Sequence, residues 1–219
     1  FSRVDEMAAQ IRGATKERLR LAASGQLLRN HFPAILAAHR RDYPSLRLSL
    51  RETNQGEAER LLQTNEIDLA ITEIEGKSPP GLKRRVLAEL PLAFLVRENS
   101  SWKKAEQLLK SAVEREPFIG LPGDETLTRL FEKGFQRRKL DLTIGVEVAS
   151  LESLTAYVAG GFGIGLGVCI PDLASAPEVR VLPIKGFPPL VVGALWVGKL
   201  PAVAQSFLEK VERYAATIR

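Results

Sequence analysis

The stretch VEVASLESLTAYVAGGFGIGLGVCIP, Val146–Pro171, decides the fold. It runs from a strand through a polar turn into a short amphipathic helix, then a glycine run, then a second strand. Ser150 sits where the chain leaves the first strand, and Glu152 and Ser153 follow in the first helical turn. Hydroxyls and free backbone N–H groups at a helix start suit an anionic small molecule. The run Gly161-x-Gly163-x-Gly165-x-Gly167 first suggests a dinucleotide fold. That fingerprint needs strand, glycine loop, then helix, so that pyrophosphate meets the helix N-terminus. Here the helix comes before the glycines, so no nucleotide cofactor is expected. The glycines instead read as a strand whose backbone lies close to a neighbour.

Outward from this stretch the pattern repeats. Upstream in the same half come helix Lys104–Val113, strand Phe118–Leu121, helix Glu125–Arg138 and strand Thr143–Val148. Downstream lie strands Val179–Leu182 and Val191–Val197 and a last helix over Pro201–Ile218. The first half has the same logic. Strand Glu17–Ala23 leads to helix Leu27–Arg41, which Tyr43-Pro44 ends. Strand Leu46–Leu50, helix Gln55–Thr64 with Asn54 as its cap, and strand Ile67–Ile71 follow. Alternating strands and helices imply right-handed parallel crossovers. Leu82–Leu87 and Leu92–Val96 are two strands with no helix between them, which marks a passage into a second unit. Phe1–Arg12 has helical spacing ended by Gly13 and reads as the end of a longer helix.

Composition narrows the function classes. The chain has 219 residues, 45% of them hydrophobic and 26% charged, which is enough for one sizeable core or two smaller ones. The net charge of +5 is dispersed, and no aromatics interleave with the basic residues as a nucleic-acid stacking platform would require. One cysteine, Cys169, excludes a disulfide framework within the chain and fits a cytoplasmic location. No apolar run approaches the roughly 20 residues of a membrane span, so no membrane partner is expected. His31 and His39 read as helix-surface histidines, Cys169 as a buried apolar thiol, and Asp124/Glu125 as helix-start charges. No nucleophile–base pair, P-loop or metal-ligand spacing emerges, so the chain is not expected to be an enzyme.

The binding signals are distributed. Ser24-Gly25-Gln26, Thr53-Asn54 and Thr72-Glu73 follow the three strands of the first half. Asp124–Thr126 and Ser150-Leu151 occupy matching turns in the second. All fall at the carboxyl ends of parallel strands, where open α/β sheets place ligands.

Four segments then carry a resemblance: GATKERLRLAAS (13–24), HFPAILAAHRRDYPSLRL (31–48), NEIDLAI (65–71) and SLESLTAYVAGGFGIGL (150–166). In this order they resemble the effector-binding domain of LysR-type transcriptional regulators. The resemblance implies an α/β fold of two Rossmann-like subdomains joined by two crossover strands, of the type 2 periplasmic-binding-protein-like kind. Residues 1–13 would end a linker helix. Residues 14–93 with 198–219 would form one subdomain and residues 94–197 the other, with Leu92–Val96 and Leu195–Lys199 as the crossovers. An effector, expected to be a carboxylate, would lie between the subdomains on Ser24, Gly25, Gln26, Asn54, Thr72, Glu73, Thr126, Ser150 and Leu151. The resemblance also implies a homodimer, or a tetramer in a full-length protein, that meets DNA only through a domain upstream. A solute-binding protein of a transport system shares the architecture and is the alternative reading. Two positions depart from the family pattern. Pro171 comes later after the glycine run than is usual, and Glu73 stands where relatives often carry a basic or hydroxyl residue.

Overall fold

The computed structural model describes residues 18–111, 116–170 and 177–217. The linker helix expected over Phe1–Arg12 and the region around Pro171 lie outside these residues. In chain order the elements are β1 (Arg18–Ala23), α1 (Gly25–Asn30), α2 (Phe32–Asp42), β2 (Arg47–Glu52), α3 (Gln55–Gln63) and β3 (Leu69–Glu73). Next come β4 (Leu82–Leu90), β5 (Leu92–Arg97), α4 (Ala105–Ser111), β6 (Phe118–Gly120), α5 (Thr126–Arg137) and β7 (Ile144–Glu147). The chain continues with α6 (Leu151–Ala159), β8 (Ile164–Val168), β9 (Val179–Pro183), β10 (Leu190–Val197) and α7 (Ala202–Thr217).

Two five-stranded sheets result, ordered β2-β1-β3-β10-β4 and β7-β6-β8-β5-β9. Each begins as parallel βαβ units, with β1 between β2 and β3 and β6 between β7 and β8. Each then receives a strand from the crossing chain, antiparallel to its third strand: β10 on β3, and β5 on β8. The two lobes are thus built on one plan. Central strands buried on both faces read as nearly continuous apolar runs, as β8 and most of β3 do, whereas β1 alternates through Arg18 and Arg20 before it is buried.

The chain leaves the first sheet at Pro91, between β4 and β5, close to the expected place. Its return differs from the expectation. β10 pairs with β3 and β4, so the chain re-enters the first sheet across residues 184–189 and not at Leu195–Lys199. Residues 190–197, expected in the second subdomain, therefore lie in the first lobe. The reason is burial: Val192, Ala194 and Leu195 fill the first lobe's core beside Leu21, Leu69 and Ala70.

A second difference concerns Leu27–Arg41, expected as one helix. It forms two, α1 and α2, parted at His31. Pro33 falls in the first turn of α2, where it lacks an N–H and would crowd a helix continuing from Arg29. The glycine run behaves as expected. A Cβ on Gly165 would come within 2.6 Å of Leu154 and 2.8 Å of Val158, so glycine lets α6 lie close on β8.

Both histidines, read as surface residues, are buried. His31 at the α1–α2 break shares a hydrogen bond of 3.0 Å with the Tyr214 hydroxyl on α7. His39 is fully enclosed between Tyr43 and Phe207, with both ring nitrogens unpartnered. Burial and the nearby Lys210 ammonium lower its pKa, while Asp42 acts the other way. Burying the imidazole in its neutral form lets this amphipathic position face the core.

Candidate ligand cleft

The carboxyl ends of the parallel strands in both lobes turn toward one another. In the first lobe, the Ser24 N–H donates to the Ile71 carbonyl at 3.3 Å, and the Thr53 N–H donates to the Ala23 carbonyl at 3.0 Å. These bonds set the turns after β1, β2 and β3 side by side. Asn54 caps α3 by accepting from the Glu57 N–H at 3.0 Å. In the second lobe, Ser150 caps α6 by accepting from the Ser153 N–H at 3.1 Å. The Thr126 hydroxyl accepts from the Arg129 guanidinium at 3.0 Å.

A cavity of about 390 Å³ lies between these turns. It brings together Ser24, Gly25, Gln26, Asn54, Glu73, Thr126, Ser150 and Leu151. Thr72, also expected at the site, does not line it. Its side chain is buried on the other face of β3, and its hydroxyl donates to Glu73 at 3.1 Å. Alternation along a strand puts Thr72 and Glu73 on opposite faces, so only one of the pair can reach the cleft.

Three polar atoms among the lining residues are buried and without a partner: Ser24 Oγ, Gln26 Oε1 and Thr53 Oγ1. Leaving such groups unmade costs about 1–3 kcal/mol each. The residues that carry them all line this one cavity.

Ion pairs join the lobes on both sides of the cavity. Arg29 on α1 donates to Glu152 of α6 at 3.2 Å and to Glu52 at 3.1 Å. Asn30 donates to the same Glu152 oxygen at 3.3 Å. On the other side Glu75, just beyond β3, accepts from Lys133 and from Arg129 of α5, the latter at 3.2 Å. The Lys133 ammonium, with Arg129 beside it, holds the Glu75 carboxyl below the ordinary range against the opposing effect of burial. Gln55 clamps the Glu75 backbone, accepting from its N–H at 2.7 Å and donating to its carbonyl at 3.1 Å. Neither bridge was evident from the sequence, because the partners lie far apart along the chain.

Glu125 was read as a helix-start charge. It precedes α5 without capping it, and it lines the cavity. Burial, with Glu73 and Asp124 nearby, pushes its carboxyl above the ordinary range; Arg129 opposes this. Its place next to Thr126 in the chain was the available signal.

A second cavity, about 430 Å³, adjoins the first at Gln26, Glu73, Leu151 and Leu190. Its walls are apolar, with Leu27, Ile35, Leu87, Ile170 and Val192 among them. Cys169 is half-buried and lines it, so the thiol is less enclosed than expected. Among the described residues no group of three His, Cys, Asp or Glu side chains could hold a metal ion. None of the described helices is long and apolar enough to cross a membrane.

Two α/β lobes, two crossings and a polar cleft between strand ends define a periplasmic-binding-protein-like ligand domain. The sequence match is more particular: residues 12–216 fit the LysR substrate binding domain, and the chain belongs to that family. It is 27% identical over 223 residues to the HTH-type transcriptional activator CmpR of Synechocystis, covering 95% of this chain and 70% of CmpR. The regulatory domain of CcmR from Synechocystis PCC6803, solved in complex with 2-PG, superposes with a TM-score of 0.74 at 24% identity, over 91% of this chain and 97% of that one. The effector-binding domain of QuiR in complex with shikimate gives 0.75 at 16% identity, over 93% and 99%. The chain is accordingly a ligand-sensing regulatory domain of the LysR type.

Proposed function

We propose that the effector binds in the 390 Å³ cleft, on Ser24–Gln26, Thr53–Asn54, Glu73, Thr126 and Ser150–Leu151. The single observation that carries this reading is that the residues of three buried, unpartnered polar atoms line that one cavity. The ligand is a small organic molecule bearing a carboxylate. The Ser24 and Thr53 hydroxyls and the first-turn N–H groups of α3 and α6 are donors suited to that group. The named ligands of related domains, shikimate and 2-PG, are also small molecules, which supports the size of the cleft.

Occupancy would act through the two lobes. A ligand touching both favours one relative position of the lobes and shifts the population toward it. The working units follow the sheets: residues to 90 with those from 190, and residues 92–183. The regulator acts in the cytoplasm as a homodimer or higher oligomer and reaches DNA through a separate domain. The relatives are transcription regulators, which favours this reading over a transport protein or an enzyme.

A thermal-shift screen of small organic acids tests the cleft. A ligand that binds the folded state raises the melting temperature by mass action. The shift is expected to shrink in Ser24→Ala and Thr53→Val. A shift unaffected by both substitutions, or none across a broad panel, contradicts the assignment.

A further inference from the structure

The charges lining the cleft are unevenly matched. Five carboxylates, Glu52, Glu57, Glu73, Glu125 and Glu152, face a single cation, Arg29. Arg29 is taken up by Glu52 and Glu152. Glu57 is taken up by Arg60 at 2.8 Å. Glu73 and Glu125 are left without an ion pair among the described residues. Two basic residues of α5 in the facing lobe are already engaged. Arg129 donates to Glu75, to the Asp124 carbonyl and to Thr126, and Lys133 donates to Glu75.

Glu73 and Glu125 also come from opposite lobes, one at the end of β3 and the other at the start of α5. Two like charges across a cleft oppose its closure. Burial first, and then the Glu73 carboxylate, push the Glu125 carboxyl above its ordinary range. Gln26 Oε1, a buried acceptor with no donor, lines the same cavity. Two carboxylates without an ion pair, Glu73 held only by the neutral Thr72 hydroxyl, and an unpartnered amide oxygen call for a donor-rich, positively charged group. The absence of a metal-holding cluster among the described residues points to a nitrogen cation rather than a metal ion.

We propose that the effector carries a cationic nitrogen, a primary amine or guanidine, seated between Glu73 and Glu125. The inference rests on the cleft being the effector site, and it deepens that reading. The effector becomes a zwitterion, with its carboxylate toward the hydroxyl-bearing turns and its cation toward the two glutamates. Its cation turns the repulsion between the lobes into a shared attraction, so binding and closure are coupled through charge.

Isothermal titration with three five-carbon probes separates the possibilities: 1,5-diaminopentane, 5-aminopentanoate and glutarate. The amine-bearing probes are expected to bind at least about tenfold more tightly than glutarate. Glu73→Gln and Glu125→Gln are each expected to weaken the amines by about tenfold and to strengthen glutarate. Both substitutions remove a like charge, so each variant should fold, and circular dichroism checks this. Glutarate binding more tightly than the amines, or amine binding indifferent to both substitutions, overturns the inference and leaves the cleft assignment standing. Binding of none of the three overturns the inference too. The cleft assignment falls as well only if the broad organic-acid panel is also silent.

Discussion

The two cavities that meet at Gln26, Glu73, Leu151 and Leu190 are close in volume, about 390 and 430 Å³, and opposite in chemistry. The polar one is lined by the ends of elements: the turns after β1, β2 and β3 and the first turns of α3, α5 and α6. Element ends leave backbone groups and short polar side chains unsatisfied. The apolar one is lined by the flanks of elements, the faces that β4, β10, α2 and α7 turn toward the core. Position along an element, more than position in the fold, decides what each cavity can hold.

The largest expected effect tests whether the two cavities are independent. Phe32 is almost fully buried, lines the apolar cavity and meets Phe207 edge-to-face at 5.5 Å. Phe32→Ala should cost about 3–5 kcal/mol of stability, read from denaturant unfolding. Affinity for a ligand in the polar cleft should be unchanged in the folded protein. A matching loss of affinity would join the two cavities into one site.

The apolar side is also where pH should act. The folded pKa of His39 lies below its ordinary value near 6.5, so the unfolded chain binds the proton more readily. Stability is then fully present above pH 6.5 and is lost as pH falls from that value toward the lowered folded one. The slope is at most about 1.4 kcal/mol per pH unit from this one group. His39→Leu should flatten it in melting curves taken between pH 7.5 and 5.

Thr53→Val sharpens the contrast from the polar side. It removes a buried hydroxyl that has no partner while keeping the shape of the side chain. Stability should hold or rise by up to about 1 kcal/mol, while ligand affinity should fall about tenfold, the worth of one hydrogen bond. A variant that loses stability as well would show the hydroxyl to be structural. The smallest effect belongs to Arg29→Ala. Its bridges to Glu52 and Glu152 join partly exposed side chains, so the stability change should stay within about 0.5 kcal/mol. Small-angle scattering should nonetheless show a more open cleft, because one of the two inter-lobe bridges found among the described residues is gone.

What the sequence disclosed follows from range. Asn54 was readable as a cap, and Ser150 as a hydroxyl at a helix start, because a cap and the N–H it accepts from lie three residues apart. The glycine run was readable as a packed strand because the order of helix and glycines is local. Thr72 and Glu73 could not be told apart, since one residue of register decides which faces the cleft. The return to the first sheet was misplaced because Leu190–Val197 is apolar in either sheet, and only pairing with β3 and β4 fixes its lobe. Arg29–Glu152 and Glu75–Lys133 bridge 123 and 58 residues, and the apolar cavity gathers residues from Gln26 to Ala215. No local pattern encodes such meetings.

The effector site itself is tested most directly by following backbone amide chemical shifts while the tightest ligand from the organic-acid screen is titrated in. Shifts gathered at Ser24–Gln26, Thr53–Asn54, Thr126 and Ser150–Glu152 are expected for a ligand held between the lobes. Shifts gathered instead along Leu87–Leu90, Ile170 and Tyr214, with those turns silent, would place the ligand in the apolar cavity and contradict an effector site in the polar cleft.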